Sequence, residues 1–168
     1  MTTPIELAQE NAQTAVKHST LWADYLAANS TTRDDAIELC TEAKNYLDQF
    51  SWGKNQKSVH VGLLYPGIIA VFLFELAHEF RNVEDWVWVV VGDVPLTYIT
   101  LEDAPTPGAA LDAYIGAMYA WVHAARKGES VEGLVPVNVA ANSENADYLQ
   151  RRLDFLDEQI LPLHPQEI

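Results

Sequence analysis

Hydrophobic and polar positions change their period near the middle of the chain. Before residue 52, apolar side chains recur every three or four positions, as they do on one face of an α-helix. This spacing predicts helices over residues 3–28 and 33–51, separated by Asn29-Ser30-Thr31. Because the break is short, we expect the two helices to form an antiparallel hairpin over residues 3–52.

The middle of the chain, residues 58–101, is rich in Val, Ile, Phe, Tyr and Trp, which is typical of β-strands. Within Ile68–Leu76 both alternating faces are apolar, so this strand must be covered on both sides. Short turns such as Tyr65-Pro66-Gly67 favour antiparallel pairing, because parallel strands need a crossover of about a dozen residues or more. The predicted strands are 59–64, 68–76, 86–91 and 96–101.

Helical spacing returns in the last third, where it predicts helices over residues 106–127 and 144–160. Leu134–Val139 is extended, but Pro136 confines it to an edge strand or a loop.

These elements predict one α+β domain, with a three- to four-stranded antiparallel sheet packed against about four helices. Its parts would be the N-terminal hairpin (3–52), the sheet (58–101) and the C-terminal helices (106–161).

Charge adds a constraint on partners. The 168 residues include 24 acidic and 10 basic side chains, for a net charge of −14, and the excess is spread along the chain. A field of this sign repels nucleic acid and anionic membranes and attracts cationic partners. The alternative interpretation is that the charge only keeps the protein soluble.

Several features favour a cytoplasmic protein without a membrane segment. Cys40 is the only cysteine, so an internal disulfide is impossible and a cysteine-based zinc site lacks ligands. The first residues, Met1–Glu6, do not resemble a secretory signal. The longest stretch without a charged residue, Ser58–Phe74, has 17 residues, fewer than the roughly 20 that a spanning helix needs.

Catalytic and metal-binding motifs are not evident in the sequence. No two histidines stand three or four residues apart on one predicted helix, and Glu75-Leu76-Ala77-His78-Glu79 is interpreted as a polar strand end. We therefore predict no metal site and no cofactor. Cys40 falls on an apolar helix stripe and is predicted to be a buried thiol. Asp93, in Gly92-Asp93-Val94-Pro95, is more typical of a turn than of an active-site carboxylate.

Five tryptophans are many for this length. Trp86 and Trp88 share one face of a wholly apolar strand, which favours their burial over a role as a ligand platform. Trp52 stands in a predicted loop and is expected to be the most exposed of the five.

Parts of the chain resemble an uncharacterised family of small stand-alone bacterial cytosolic proteins. The similarity covers roughly residues 58–161, and its most distinctive parts are Trp86-Val87-Trp88 and Pro136-Val137-Asn138-Val139. The resemblance agrees with the predicted fold and implies no catalytic residues. The segments that carry it are Leu64–Phe74, Asp85–Pro95, Asp103–Pro107, Val135–Val139 and Arg152–Leu156.

The leading functional hypothesis is a binding protein rather than an enzyme: an acidic module that docks a basic protein partner. By analogy with other small acidic bacterial proteins, the partner would be a cationic toxin or effector, and this chain an immunity-type protein that neutralises it. The predicted contacts are exposed acids and one loop aromatic: Asp34, Asp35, Glu38, Glu42, Trp52, Glu84, Asp85, Glu102 and Asp103.

Two alternatives remain open. The first is a small enzyme or ligand-binding domain with a pocket between sheet and helices. Its candidate pocket residues are Glu75, His78, Asp93 and Tyr98. The second is an oligomerisation role, which the aromatic content alone indicates.

Overall fold

The computed structural model describes residues 1–77 and 85–165. Within these ranges it contains five α-helices and one antiparallel sheet of five strands. The predicted α+β class is confirmed, but the sheet has five strands instead of three to four, and there are five helices instead of about four. The helices are α1 (Pro4–Lys17), α2 (Trp22–Ala28), α3 (Arg33–Leu47), α4 (Pro107–Lys127) and α5 (Ser143–Phe155). The strands are β1 (Thr20–Leu21), β2 (Gln56–Tyr65), β3 (Ile69–Leu76), β4 (Trp86–Gly92) and β5 (Thr97–Thr100).

The sheet is a simple meander in which every strand pairs with its neighbours in sequence, in the order β1-β2-β3-β4-β5. The central strand, β3, is buried at every position except Glu75, which is half-buried. Its register runs from Ile69 opposite Gly92 to Glu75 opposite Trp86 on β4. Glu75 and Gly92 therefore lie at opposite ends of the β3–β4 pair.

Both faces of the sheet are covered, as the apolar pattern of β3 predicts. On one face, which we call the α4 face, Ile69, Val71 and Leu73 pack with the apolar side of α4 and with α5. On the other, the α3 face, Phe72 and Phe74 pack with α3 and α2. Each large apolar side chain buried in this way contributes about 1.5–3 kcal/mol relative to its exposed state.

Two tryptophans and a cysteine test the burial predictions. Trp88 is fully buried on the α4 face, and its indole N–H donates to the Ala104 carbonyl across 2.6 Å. Trp86, at the start of β4, is half-buried. Cys40 is a buried free thiol, as predicted, and burial raises its pKa. In the described ranges, no helix is long and apolar enough to span a bilayer.

The N-terminal region differs from the prediction of one helix over residues 3–28. Helix α1 ends at Lys17, and the Ser19 hydroxyl donates to the Ala15 carbonyl just beyond it. Thr20–Leu21 then forms β1, the strand that was not predicted, and pairs with β2. A two-residue strand leaves no alternating pattern in the sequence, so the pairing with Val61 and His60 decides the local structure.

The predicted N-terminal hairpin also differs from the structure. Ala15 of α1 belongs to the core on the α4 face, whereas Cys40, Ala43 and Leu47 of α3 belong to the core on the α3 face. The two longest N-terminal helices therefore lie against opposite faces of the sheet. The segment 134–139 forms no strand and follows α4 as a loop.

A bulge in β2 changes which residues of the strand face each side of the sheet. Val61 pairs with Phe72 on the α3 face, and after the extra residue Gly62 the next pair is Leu63 with Val71 on the α4 face. A Cβ at Gly62 would lie 2.9 Å from a Trp88 ring carbon and 3.1 Å from Cβ of Pro107. The bulge therefore needs a residue without a side chain.

We predict that Gly62→Ala lowers the free energy of unfolding by about 1–3 kcal/mol, because the new methyl group must displace the Trp88 ring. The matched control is Gly116→Ala on the exposed side of α4, where a Cβ meets nothing within 4 Å. That change should raise stability by roughly 0.5–1 kcal/mol, through helix propensity. Urea unfolding of both variants tests this, and a neutral Gly62→Ala would contradict the packing at the bulge.

Candidate functional site

Helix α3 presents its acidic residues on the side away from the sheet. Asp34, Asp35 and Glu38 are exposed and Glu42 is half-buried, while Cys40 faces inward. None of these four carboxylates forms an ion pair with another described residue. Since α3 also carries Arg33 and Lys44, its four acids leave a net charge of −2 on the helix.

Three of these acids form a ridge that leads to aromatic residues. Asp34, Glu38 and Glu42 are spaced by four residues, so they lie in one row along α3, and Tyr46 is the next member of that row. We call Asp34, Glu38 and Glu42 the acidic ridge. At its end, the Tyr46 ring contacts Phe50 with centroids 5.3 Å apart.

The aromatic cluster consists of Tyr46, Phe50, Trp52 and Tyr98. Phe50 stacks on Trp52 with centroids 4.9 Å apart, and Trp52 meets Tyr98 edge-on, also at 4.9 Å. Tyr98 lies on β5, the edge strand of the sheet, and is 37% exposed, while the other three are half-buried. Each aromatic pair in such a geometry stabilises the fold by about 0.5–1.5 kcal/mol beyond the burial of its surface. The cluster is therefore held in place while part of its surface stays exposed.

The loop after α3 positions Trp52 for these contacts. The Gln56 amide donates to the Gly53 carbonyl across 2.7 Å and to the Asp48 carboxylate across 3.1 Å. Gly53 lies directly against the backbone of Leu47, where a side chain would collide with the carbonyl group. The tight fold of residues 48–56 holds Trp52 half-buried, less open than the sequence predicts.

A second acidic group lies at one end of the sheet. Asp85 precedes β4, and Glu102 and Asp103 follow β5; all three are exposed. Because Val87 pairs with Thr100, these residues stand at the same end of two neighbouring strands. Glu84, also a predicted contact, lies outside the described residues.

The four predicted pocket residues are not brought together. Glu75 and Asp93 stand at opposite ends of the β3–β4 ladder, which is seven pairs long. Tyr98 belongs to the aromatic cluster on the α3 face. His78 lies outside the described residues.

Glu75 instead takes part in a small polar group with two residues of β2. The Ser58 hydroxyl donates to the Glu75 carboxylate across 3.2 Å, and His60 lies on the same side of the sheet with its ring 5.8 Å from that of Trp86. His60 is only 8% exposed, and its Nδ1 has no hydrogen-bond partner among the described residues. Burial lowers the pKa of His60, although the Glu75 carboxylate acts in the opposite direction.

This group does not have the arrangement of a catalytic triad. Its serine donates to the carboxylate, whereas a nucleophilic serine must donate to the histidine that removes its proton. The buried ring of His60 also leaves little room for a substrate. In the ranges described, no three His, Cys, Asp or Glu side chains are grouped so as to hold a metal ion.

Asp93 lies in a groove of about 250 Å³ beside α5. It forms an ion pair with Arg152, whose Nε lies 3.0 Å from the Asp93 carboxylate. The groove also contains Arg151 and Phe155, which were not predicted from the sequence as site residues. Their spacing was the available signal, since Tyr148, Arg151, Arg152 and Phe155 follow the i, i+3, i+4, i+7 pattern of one helix face.

Comparisons with known proteins add no assignment. A scan against protein-family models, a search of curated proteins and a search of solved structures each found no match to this chain. The resemblance described from the sequence stays a prediction.

His60 allows a test of the polar group. Its folded-state pKa is lowered, so below about pH 6.5 the unfolded chain binds the proton more readily and the protein loses stability. We predict that His60→Leu raises the free energy of unfolding by about 1 kcal/mol at pH 7, because it removes an unpaired buried nitrogen. The gain should grow between pH 7 and pH 5.

Urea unfolding at several pH values measures both effects, with His123→Leu on an exposed position of α4 as the control. Burial also lowers the pKa of His164, so His60→Leu should reduce the slope of stability against pH without abolishing it. An unchanged slope would show that His60 does not carry this dependence.

Proposed function

We propose that this protein is a binding module for a protein partner with a cationic surface. The observation that supports it best is the continuity of the acidic ridge with the aromatic cluster on the α3 side of the molecule. Partly exposed Trp and Tyr rings are typical anchors of a protein-binding surface, and unpaired carboxylates beside them attract a partner of opposite charge.

The two components have different tasks. The ridge, in a chain of net charge −14, draws a cationic partner toward the α3 side and raises the association rate. The aromatic cluster then provides the contact that slows dissociation, because Trp and Tyr bury a large area at little conformational cost. Trp52 and Tyr98 are the proposed anchors.

The partner class follows from the sign of the field. A domain that binds nucleic acid carries a cationic surface for the phosphates, and an acidic module covering that surface blocks access to them. A cationic toxin or effector is therefore the proposed partner, and neutralisation by an immunity-type protein is the proposed outcome.

Affinity capture at low salt, followed by binding kinetics with the purified partner, tests the proposal. The first is the ridge variant, Asp34→Lys with Glu38→Lys and Glu42→Lys, for which we expect the association rate to fall at least about tenfold and the salt dependence to weaken. The second is Trp52→Ala, for which we expect mainly faster dissociation.

The matched control carries the same charge change on exposed acids elsewhere: Glu129→Lys with Glu132→Lys and Glu144→Lys. If this control slows association as much as the ridge variant, the effect is one of total charge and the ridge is not the docking surface. Binding that stays constant from low to high salt would contradict the electrostatic role altogether.

A further inference from the structure

The groove beside α5 combines apolar side chains with two arginines, and it is not part of the acidic surface proposed above. It lies where the β2–β3 turn, the β4–β5 turn and the end of α5 meet, on the α4 face and away from the aromatic cluster. Its apolar lining comes from Ile68, Val94, Phe155 and Leu156, and its charged lining from Asp93, Arg151 and Arg152.

Backbone contacts keep the two turns in place and the groove open. The Asp93 amide donates to the Ile68 carbonyl across 3.1 Å and ties one turn to the other. Gly67 adopts a positive φ of 74°, and a Cβ there would meet nothing within 4 Å. The space in front of this turn is therefore not filled by the protein.

The two arginines of the groove differ in their partners: Arg152 is bound to a carboxylate, whereas Arg151 can still bind one. Arg152 binds the Asp93 carboxylate and, through Nη1, the Tyr148 carbonyl across 3.2 Å. Arg151 lies with its guanidinium carbon 5.8 Å from the centre of the Tyr148 ring and has no carboxylate partner among the described residues. In a chain with 24 acids and 10 bases, an available guanidinium at the rim of an apolar groove is an unusual feature.

Phe155 adds an exposed apolar surface to the groove. Its ring is 45% exposed, whereas the two leucines of the same helix, Leu149 and Leu153, are buried. A turn of π-helix, Leu156–Ile160, follows it directly, and such turns often occur at functional sites. A ligand that covers Phe155 and accepts hydrogen bonds from Arg151 would satisfy both groups.

We infer that this groove binds a small monocarboxylate with an apolar body. The guanidinium of Arg151 matches a carboxylate in a two-bond geometry, and the apolar lining accepts an aryl or branched alkyl group. The two arginines and Asp93 leave one positive charge, which suits one negative charge better than the two of a phosphate monoester. The volume lies just below the roughly 300–1,000 Å³ of pockets for drug-sized ligands, so the occupant is a small free acid.

Amide NMR spectra of the full chain, titrated with phenylacetate, test this inference. We expect a Kd of roughly 1 mM, with shifts in Gly67, Ile68, Val94 and the end of α5. The neutral analogue phenylacetamide and the dianion phenyl phosphate should each bind at least several-fold more weakly. Tighter binding of phenyl phosphate would contradict the carboxylate assignment, and equal binding of the amide would contradict any role for charge.

Arg151→Ala should raise the Kd for phenylacetate about tenfold or more. Lys127→Ala removes the same charge from an exposed site at the end of α4 and should leave the Kd unchanged. No shift at the groove residues, or equal Kd values for Arg151→Ala and the wild type, would overturn the inference. The proposed protein-binding surface is on the other face, so neither result bears on it.

Discussion

The central strand β3 is apolar on both of its faces, and the rest of the fold satisfies that constraint. Phe72 and Phe74 point to one side and Val71 and Leu73 to the other, and all four are fully buried. A strand of this kind is stable only between two layers. Helices α2 and α3 supply one layer, and α4 and α5 supply the other together with Ala15 of α1. Helices that precede the long strands in sequence and helices that follow them therefore enclose the same sheet.

This arrangement determines where surface chemistry is available. With both sheet faces occupied, the places left for partners are the outer sides of helices, the edge strand β5 and the turns at the sheet ends. The acidic ridge and aromatic cluster use the outer side of α3 and the β5 edge. The groove uses the turn end near Gly67 and Asp93. The two surfaces lie on opposite sides of the sheet and share no residue.

Local patterns predicted most of the secondary structure, because the side chains that a helix or strand buries recur at regular intervals in the sequence. The strands around Ile69–Leu76 and Trp86–Gly92 and the helix at Pro107–Lys127 follow from it closely. Strand β1 did not, since two residues carry no period and depend on pairing with β2. The candidate site was harder to predict than the secondary structure, because Trp52 and Tyr98 are far apart in sequence and come into contact only in the folded chain. An arginine on the outer side of a helix, such as Arg151, is ordinarily a solvated charge. It lines a groove here only because the Gly67 turn lies beside α5 in the folded chain.

The most direct test of the two-sided constraint is native-state amide hydrogen exchange. The account predicts that the amides of Val71, Phe72 and Leu73 exchange only through global unfolding, with an opening free energy equal to that from urea unfolding. The exposed first turns of α1 should exchange far faster. If the β3 amides opened well below the global free energy, for instance through release of α2 and α3 alone, the sheet would not depend on both layers.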